Sequence, residues 1–374
     1  MKKQILIFAI CIIPIFTLAQ EIDTSQIIIP IKIGYDSDRT AISDTTSTLV
    51  LADDEQGANV AFNEAVQLYQ QGQYQAAIQS YSRALQINPN LIDAYKGRGS
   101  SYVQLSNFKN AETDFEKFFA KNQSSGEAAY LLAYAQYYLE KTEDAEKNFL
   151  KAKSLNHKDI NLYYFLGVIN FNKEKYSEAI EFFDEAIKID AKHVFSYNDR
   201  GSAYRMLEKY DNAIADYSKA VELDSYNPLL YNNLGSVKRL NKDYAGAIEA
   251  FDQALKIDQD YFLALNNKGI TLYDDGKYQQ AIECFNNVLK LKKDYAYAYN
   301  NMGLCYYKEK DYKSAIEAYN KAIFFEPDYA YAYIHRGSAY EMLRQMQEAC
   351  ADWKKAKDLG LDVAKEYCSI CKEY

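Results

Sequence analysis

Small and aromatic positions recur along most of this chain with one fixed period. Alanine stands at Ala77, Ala111, Ala145, Ala179, Ala213, Ala247, Ala281, Ala315 and Ala349, a step of 34 residues throughout. Twelve residues before each comes Gly or Ala: Ala65, Gly99, Ala133, Gly167, Gly201, Gly235, Gly269, Gly303 and Gly337. Four residues after each comes an aromatic side chain: Tyr81, Phe115, Phe149, Phe183, Tyr217, Phe251, Phe285, Tyr319 and Trp353. Nine units, each numbered 1 to 34, therefore run from Ala58 to Val363 without an insertion or deletion. A period of this length marks an array of stacked repeats.

Within a unit the apolar positions follow helical spacing twice. In 296–329, Tyr299, Met302, Gly303 and Tyr306 recur every three or four residues and form one stripe. A break at Lys310-Asp311 follows, and Ala315, Tyr319, Ala322 and Ile323 form a second stripe. Pro327 ends that helix, as Pro89 does in the first unit, because proline cannot continue a helix. Gly303 and Ala315 lack bulk, so the two helices can approach closely there. A pair of this kind exposes half its apolar surface and needs a neighbour on each side. The pattern predicts an all-α solenoid of nine helix-turn-helix units. Residues 364–374 carry the frame once more through Tyr367, Ile370, Cys371 and Tyr374, which reads as a C-terminal capping helix.

The segment before Ala58 has another character. Lys2 and Lys3 precede an apolar run from Ile5 to Ala19, broken only by Pro14 and Thr17. This is the pattern of a signal peptide, residues 1–19, cleaved after Ala19. It predicts a secreted or periplasmic protein with no stable membrane insertion after cleavage. Residues 20–57 show no helical period and read as a disordered or extended spacer. Inside it the β-prone run from Ile27 to Ile33, which contains Pro30, could instead add as a strand to an edge on a partner or on the chain itself.

Charge and composition mainly exclude. A net charge of −9 argues against nucleic acid as a partner, which would call for a basic face. His157, His193 and His335 are far apart and suggest neither a histidine-rich metal site nor a His-dependent triad. No phosphate-binding glycine loop, zincin helix or nucleophile elbow occurs, so no enzyme, catalytic residue, cofactor or metal is expected. Tyrosine is the anomaly, with 36 copies against one tryptophan. Cys284 and Cys305 read as buried small residues, and Cys368-x-x-Cys371 lacks a second ligand pair for zinc. Cys350 takes a position that is isoleucine in most units, and Cys371 takes the small position of the cap. A Cys350–Cys371 disulfide is expected, with Cys368 as the competing partner.

The frame resembles the tetratricopeptide repeat (TPR), whose pattern has a large residue at position 4, Leu at 7, Gly or Ala at 8, Tyr at 11, an aromatic at 17, Ala at 20, an aromatic at 24, Ala at 27 and Pro at 32. All nine units match at 8, 20 and 24. Position 27 departs only at Phe118 and Val288, and position 17 only at Thr142 and Met346. Gln136, Asn170 and Lys238 depart at position 11, and most units lack the proline. The resemblance implies a right-handed superhelix whose concave wall is built from the first helix of each pair, through positions 2, 5, 6, 9, 12 and 13. Those positions give an aromatic zone of Tyr130, Tyr134, Tyr137, Tyr138, Tyr164 and Phe171 in the third and fourth units. Arg205 and Arg239 follow with Asn198 and Asn232, then Asn233, Asn267 and Asn301 at position 6, the last two preceded by Asn266 and Asn300. The position-6 set resembles the asparagine ladder of superhelical TPR proteins, in which a carboxamide meets the donor and acceptor of a peptide main chain. The carboxylate clamp of chaperone-binding TPRs is not matched, since Lys96 is followed by Ser100 where Asn is expected.

The reading that results is a non-catalytic scaffold or adaptor binding protein or peptide segments in the concave groove. The alternatives are a structural part of a cell-envelope assembly that uses its outer edge and ends, and a glycan-binding module centred on the aromatic zone.

Overall fold

The structure, a computed structural model, describes residues 49–371. The signal segment, the Ile27–Ile33 run and Tyr374 lie outside the described residues. All nineteen elements among the described residues are helices. The chain divides between Ala191 and Lys192 into two compact units. The first holds four helix pairs: α1 (Leu49–Gln70), α2 (Tyr74–Ile87), α3 (Ile92–Gln104), α4 (Phe108–Lys121), α5 (Gly126–Tyr138), α6 (Thr142–Ser154), α7 (Ile160–Asn172) and α8 (Tyr176–Ile189). The second holds five: α9 (Val194–Met206), α10 (Tyr210–Leu223), α11 (Pro228–Leu240), α12 (Tyr244–Ile257), α13 (Phe262–Asp274), α14 (Tyr278–Leu291), α15 (Ala296–Lys308), α16 (Tyr312–Phe325), α17 (Ala330–Met342) and α18 (Met346–Asp358). It closes with α19 (Ala364–Ile370). Within each unit successive pairs pack side by side as a TPR solenoid.

One correction concerns the spacer. Helix α1 starts at Leu49, so residues 49–57 are helical rather than extended. That stretch holds Leu, Ala, Glu and Gln, which are strong helix formers. It extends the first helix upstream of the repeat frame, where a search for the 34-residue period has nothing to detect.

The aromatic side chain at position 24 is the centre of every pair. All nine are closed to solvent and are among the largest fully buried side chains. The small residue at position 8 lies directly against that ring. A β-carbon added to Gly235 would sit 2.7 Å from Phe251, and one added to Gly269 would sit 2.7 Å from Phe285. Removing such a ring would cost about 3–5 kcal/mol.

Three units replace the expected apolar residue at position 7 with arginine. Arg98, Arg200 and Arg336 each grip a buried aspartate of the second helix, Asp114, Asp216 or Asp352, through two hydrogen bonds of 2.6–2.8 Å. Their guanidinium groups lie over tyrosines of the same helix: Arg98 over Tyr95, Arg200 over Tyr197 and Tyr204, and Arg336 over Tyr333 and Tyr340. Planar stacking and bidentate pairing together make a buried charge tolerable. The signal was present as a thrice-repeated Tyr-x-x-Arg-Gly-Ser-x-Tyr and accounts for part of the tyrosine excess. Two departures at position 11 are also satisfied. Asn148 Nδ2 donates to Gln136 Oε1 at 2.7 Å, and Asn170 Nδ2 donates to the Leu166 carbonyl at 2.8 Å.

The cap is tied down as expected. Cys350 and Cys371 are joined by a disulfide with their α-carbons 5.7 Å apart. Tyr367 of α19 packs on Trp353, with ring centroids 5.1 Å apart. Cys284 and Cys305 are buried free thiols, both pushed up in pKa by burial, and Cys368 is free and half-buried.

The turn inside every pair is the same. Position 15 has positive φ in all nine units, between 55° and 78°: Gly72, Ser106, Glu140, Glu174, Glu208, Lys242, Gly276, Lys310 and Arg344. In the seventh unit Gly276 N–H donates to the Tyr273 carbonyl and Lys277 N–H to the Leu272 carbonyl, a Schellman closure repeated by Lys310 and Asp311. Only two of the nine residues are glycine, so seven carry a left-handed penalty. Lys310→Gly is therefore expected to stabilise the eighth pair by up to about 1 kcal/mol, and Gly276→Ala to destabilise the seventh by about 1 kcal/mol. Nothing crowds Gly276, so the backbone is the whole cost. Local opening free energies from amide hydrogen exchange check both signs.

Candidate functional site

The asparagines of the second unit form ties between neighbouring first helices. Each tie joins position 5 of one repeat to position 6 of the next, a separation of 35 residues. Asn233 Nδ2 donates to Asn198 Oδ1 and Asn267 Nδ2 to Asn232 Oδ1, both at 2.9 Å. In the last repeat histidine replaces asparagine, and His335 Nδ1 donates to Asn300 Oδ1 at 2.8 Å. The rung between Asn266 and Asn301 is open. Neither atom of the Asn266 carboxamide has a hydrogen-bond partner, nor do Asn301 Nδ2 and Asn300 Nδ2. A buried polar group left unmatched costs about 1–3 kcal/mol.

The seven asparagines do not line one open row. Asn266 and Asn300 are 0 % exposed, and Asn232 and Asn301 are also buried. Asn198, Asn233 and Asn267 are half-buried and reach the surface. Position 5 lies between adjacent first helices, so a side chain there packs before it can meet a ligand. The signal for these ties was the 35-residue offset between Asn198 and Asn233, Asn232 and Asn267, Asn266 and Asn301, and Asn300 and His335. Reading each repeat position separately conceals it.

The two arginines differ. Arg239 Nη1 is bound to Asp274 Oδ2 at 2.7 Å, so its charge is matched within the wall. Arg205 is half-buried with its Nε unpartnered, and it makes no ion pair with the described residues. Lys96 is engaged by Glu127, and Ser100 Oγ donates to the Lys96 carbonyl.

The aromatic zone of the first unit is largely core. Tyr130, Tyr134 and Tyr164 are buried, whereas Tyr137, Tyr138 and Phe171 are half-buried. Tyr138 stacks on Phe108 with centroids 4.5 Å apart, and Tyr137 packs on Phe165 at 4.6 Å. Burial, reinforced by the Asp159 charge, holds the Tyr130 hydroxyl well above the usual tyrosine range. Among the described residues no group of three His, Cys, Asp or Glu side chains is placed to hold a metal ion. No helix among them is long and apolar enough to cross a membrane.

His335 reports on the ladder. It is buried against the Tyr319 and Tyr331 rings, and burial lowers its pKa from 6.5 to about 4. The unfolded chain binds a proton there before the folded chain does. The stabilisation from the neutral ring is thus complete above pH 6.5 and is lost as pH falls toward 4, on the order of 3 kcal/mol in full. An imidazole NMR titration is expected to show a midpoint near pH 4. His335→Asn should flatten the stability profile between the two values.

The TPR repeat family matches residues 66–106, 201–239 and 235–276, and the tetratricopeptide repeat family matches 260–323. Residues 104–186 match the family described as anaphase-promoting complex, cyclosome, subunit 3. No curated protein sequence matches the chain. Among solved structures, a tetratricopeptide repeat protein from Parabacteroides merdae ATCC 43184 is similar at 21 % identity, covering 66 % of this chain and 98 % of that one, with a TM-score of 0.56. The APC/C hetero-tetramer Cut9-Hcn1 is similar at 15 % identity, covering 84 % of this chain and 76 % of that one, with a TM-score of 0.50. At such identities the likeness concerns the fold alone. Repeat frame, helix pairing and family matches agree: the chain is a tetratricopeptide-repeat protein.

Proposed function

We propose that this protein is a non-catalytic adaptor that binds an extended acidic protein segment along the first helices of its second unit. TPR arrays are protein-interaction scaffolds, and the finer reading rests on Arg205. A half-buried guanidinium without a carboxylate is a poor structural element but a good anchor for a ligand carboxylate. Asn233 and Asn267 lie on the same row of first helices, each with carboxamide capacity beyond the one bond its Nδ2 donates to the preceding rung, whereas Asn198 both accepts from Asn233 and donates to Asp199. That remaining capacity suits the alternating donors and acceptors of a peptide main chain. A library of extended peptides with and without Asp and Glu, read by fluorescence polarisation against the mature chain, tests the idea. Acidic members are expected to bind, and Arg205→Gln to weaken them at least tenfold, about 1.4 kcal/mol. Absence of binders, or binders indifferent to Arg205→Gln and Asn233→Ala, overturns it.

We also propose that the protein is exported. The basic start with its apolar run supports this, and so does a cap built around a disulfide, a bond suited to oxidising compartments. Protein isolated from its host is expected to begin at Gln20 with Cys350 oxidised. Retention of residues 1–19 with Cys350 alkylatable would contradict export.

A further inference from the structure

One sequence offset, 35 residues, sets the ties between neighbouring first helices of the second unit. Asn198 with Asn233 and Asn232 with Asn267 join positions 5 and 6. Arg239 with Asp274 joins positions 12 and 13, about two helical turns further along. Arginine stands at position 12 twice, at Arg205 and Arg239. The residue one offset after Arg239 is Asp274, whose Oδ2 lies 2.7 Å from Nη1. The residue one offset after Arg205 is Leu240, half-buried and without a charge to offer. The Asn198–Asn233 bond holds α9 and α11 in the same register that α11 and α13 share. Leu240 therefore takes the place beside Arg205 that Asp274 takes beside Arg239, and Arg205 Nε is buried without a hydrogen-bond partner.

We propose that Leu240 is the residue that leaves this subsite open, and that Arg205 takes one carboxylate from the ligand where Arg239 already has Asp274 as an internal occupant. This rests on the reading of the protein as an adaptor for an acidic segment and deepens it. The ligand needs a single acidic side chain rather than a run of them, because the next guanidinium along the row is neutralised within the wall. Neighbouring first helices lie about 8–10 Å apart, and an extended chain rises about 3.3 Å per residue. A second acidic side chain about three residues from the first would thus reach Arg239, but finds it occupied. Leucine in the place of the carboxylate also keeps water from one side of the Arg205 guanidinium, which strengthens its bond to the arriving oxygen.

Fluorescence polarisation with two extended peptides tests this. One carries a single glutamate among neutral residues, and the other adds a second glutamate about three residues later. Leu240→Asp rebuilds the Arg239–Asp274 pair one repeat earlier and is expected to weaken the one-glutamate peptide at least about tenfold. Leu240→Asn, nearly the same shape without the charge, is expected to change it by less than about threefold. The unaltered protein should bind both peptides alike, whereas Asp274→Leu should favour the two-glutamate peptide by about tenfold or more. Binding that is lost in Arg205→Gln but untouched by Leu240→Asp overturns this inference and leaves the acidic-segment reading standing. Equal losses in Leu240→Asp and Leu240→Asn also overturn it, since shape rather than charge would then be responsible. A two-glutamate preference in the unaltered protein overturns the single-acid requirement. If neither peptide binds, the acidic-segment reading fails and this inference falls with it.

Discussion

Everything in this protein depends on one contact, the aromatic ring at position 24 of each pair pressed into the gap left by Gly or Ala at position 8. The ring is buried in all nine units, and in seven of them no β-carbon intervenes on the facing helix. Close approach of the two helices buries the rest of both stripes and leaves two further apolar faces on each pair. Neighbouring pairs cover those faces, which is why the array propagates and why its last pair requires α19.

Once that contact sets the helix separation, other positions become free to carry polar chemistry. Arginine at position 7 is possible because the aspartate of the second helix stands within 2.6–2.8 Å and tyrosines flank the guanidinium. The pair is desolvated, so removing either partner would leave an unmatched charge. Position 15 tolerates Glu, Lys and Arg at positive φ because the Schellman closure and the packing on both sides over-determine the turn. These features are costs accepted locally against a large and repeated hydrophobic term.

The two units make different use of the same frame. The first seals its inner wall with Leu, Tyr, Phe and Val. The second places asparagine at positions 5 and 6 of its first helices, and most of those carboxamides tie one first helix to the next. A carboxamide, with a donor and an acceptor in one group, can bridge two neighbouring first helices at a fixed offset. Arg239 is matched by Asp274 within the wall, whereas Arg205 at the same repeat position leaves its Nε without a hydrogen-bond partner.

The sequence by itself determined the repeat frame, the all-helical class and the partner of each ring. Those follow from local helical periodicity and from the steric need of a small residue opposite a large one. It also led to the Cys350–Cys371 pair, because the frame continues through the cap. Tertiary structure alone decided which groove positions are open. Asn266 and Asn300 occupy the same formal column as Asn198, yet they are sealed, because exposure depends on how closely neighbouring first helices approach. Tyr130, Tyr134 and Tyr164 are core for the same reason, although their positions suggested a binding face. The start of α1 at Leu49 also escaped the sequence, since a helix that extends beyond its repeat has no periodic partner to reveal it.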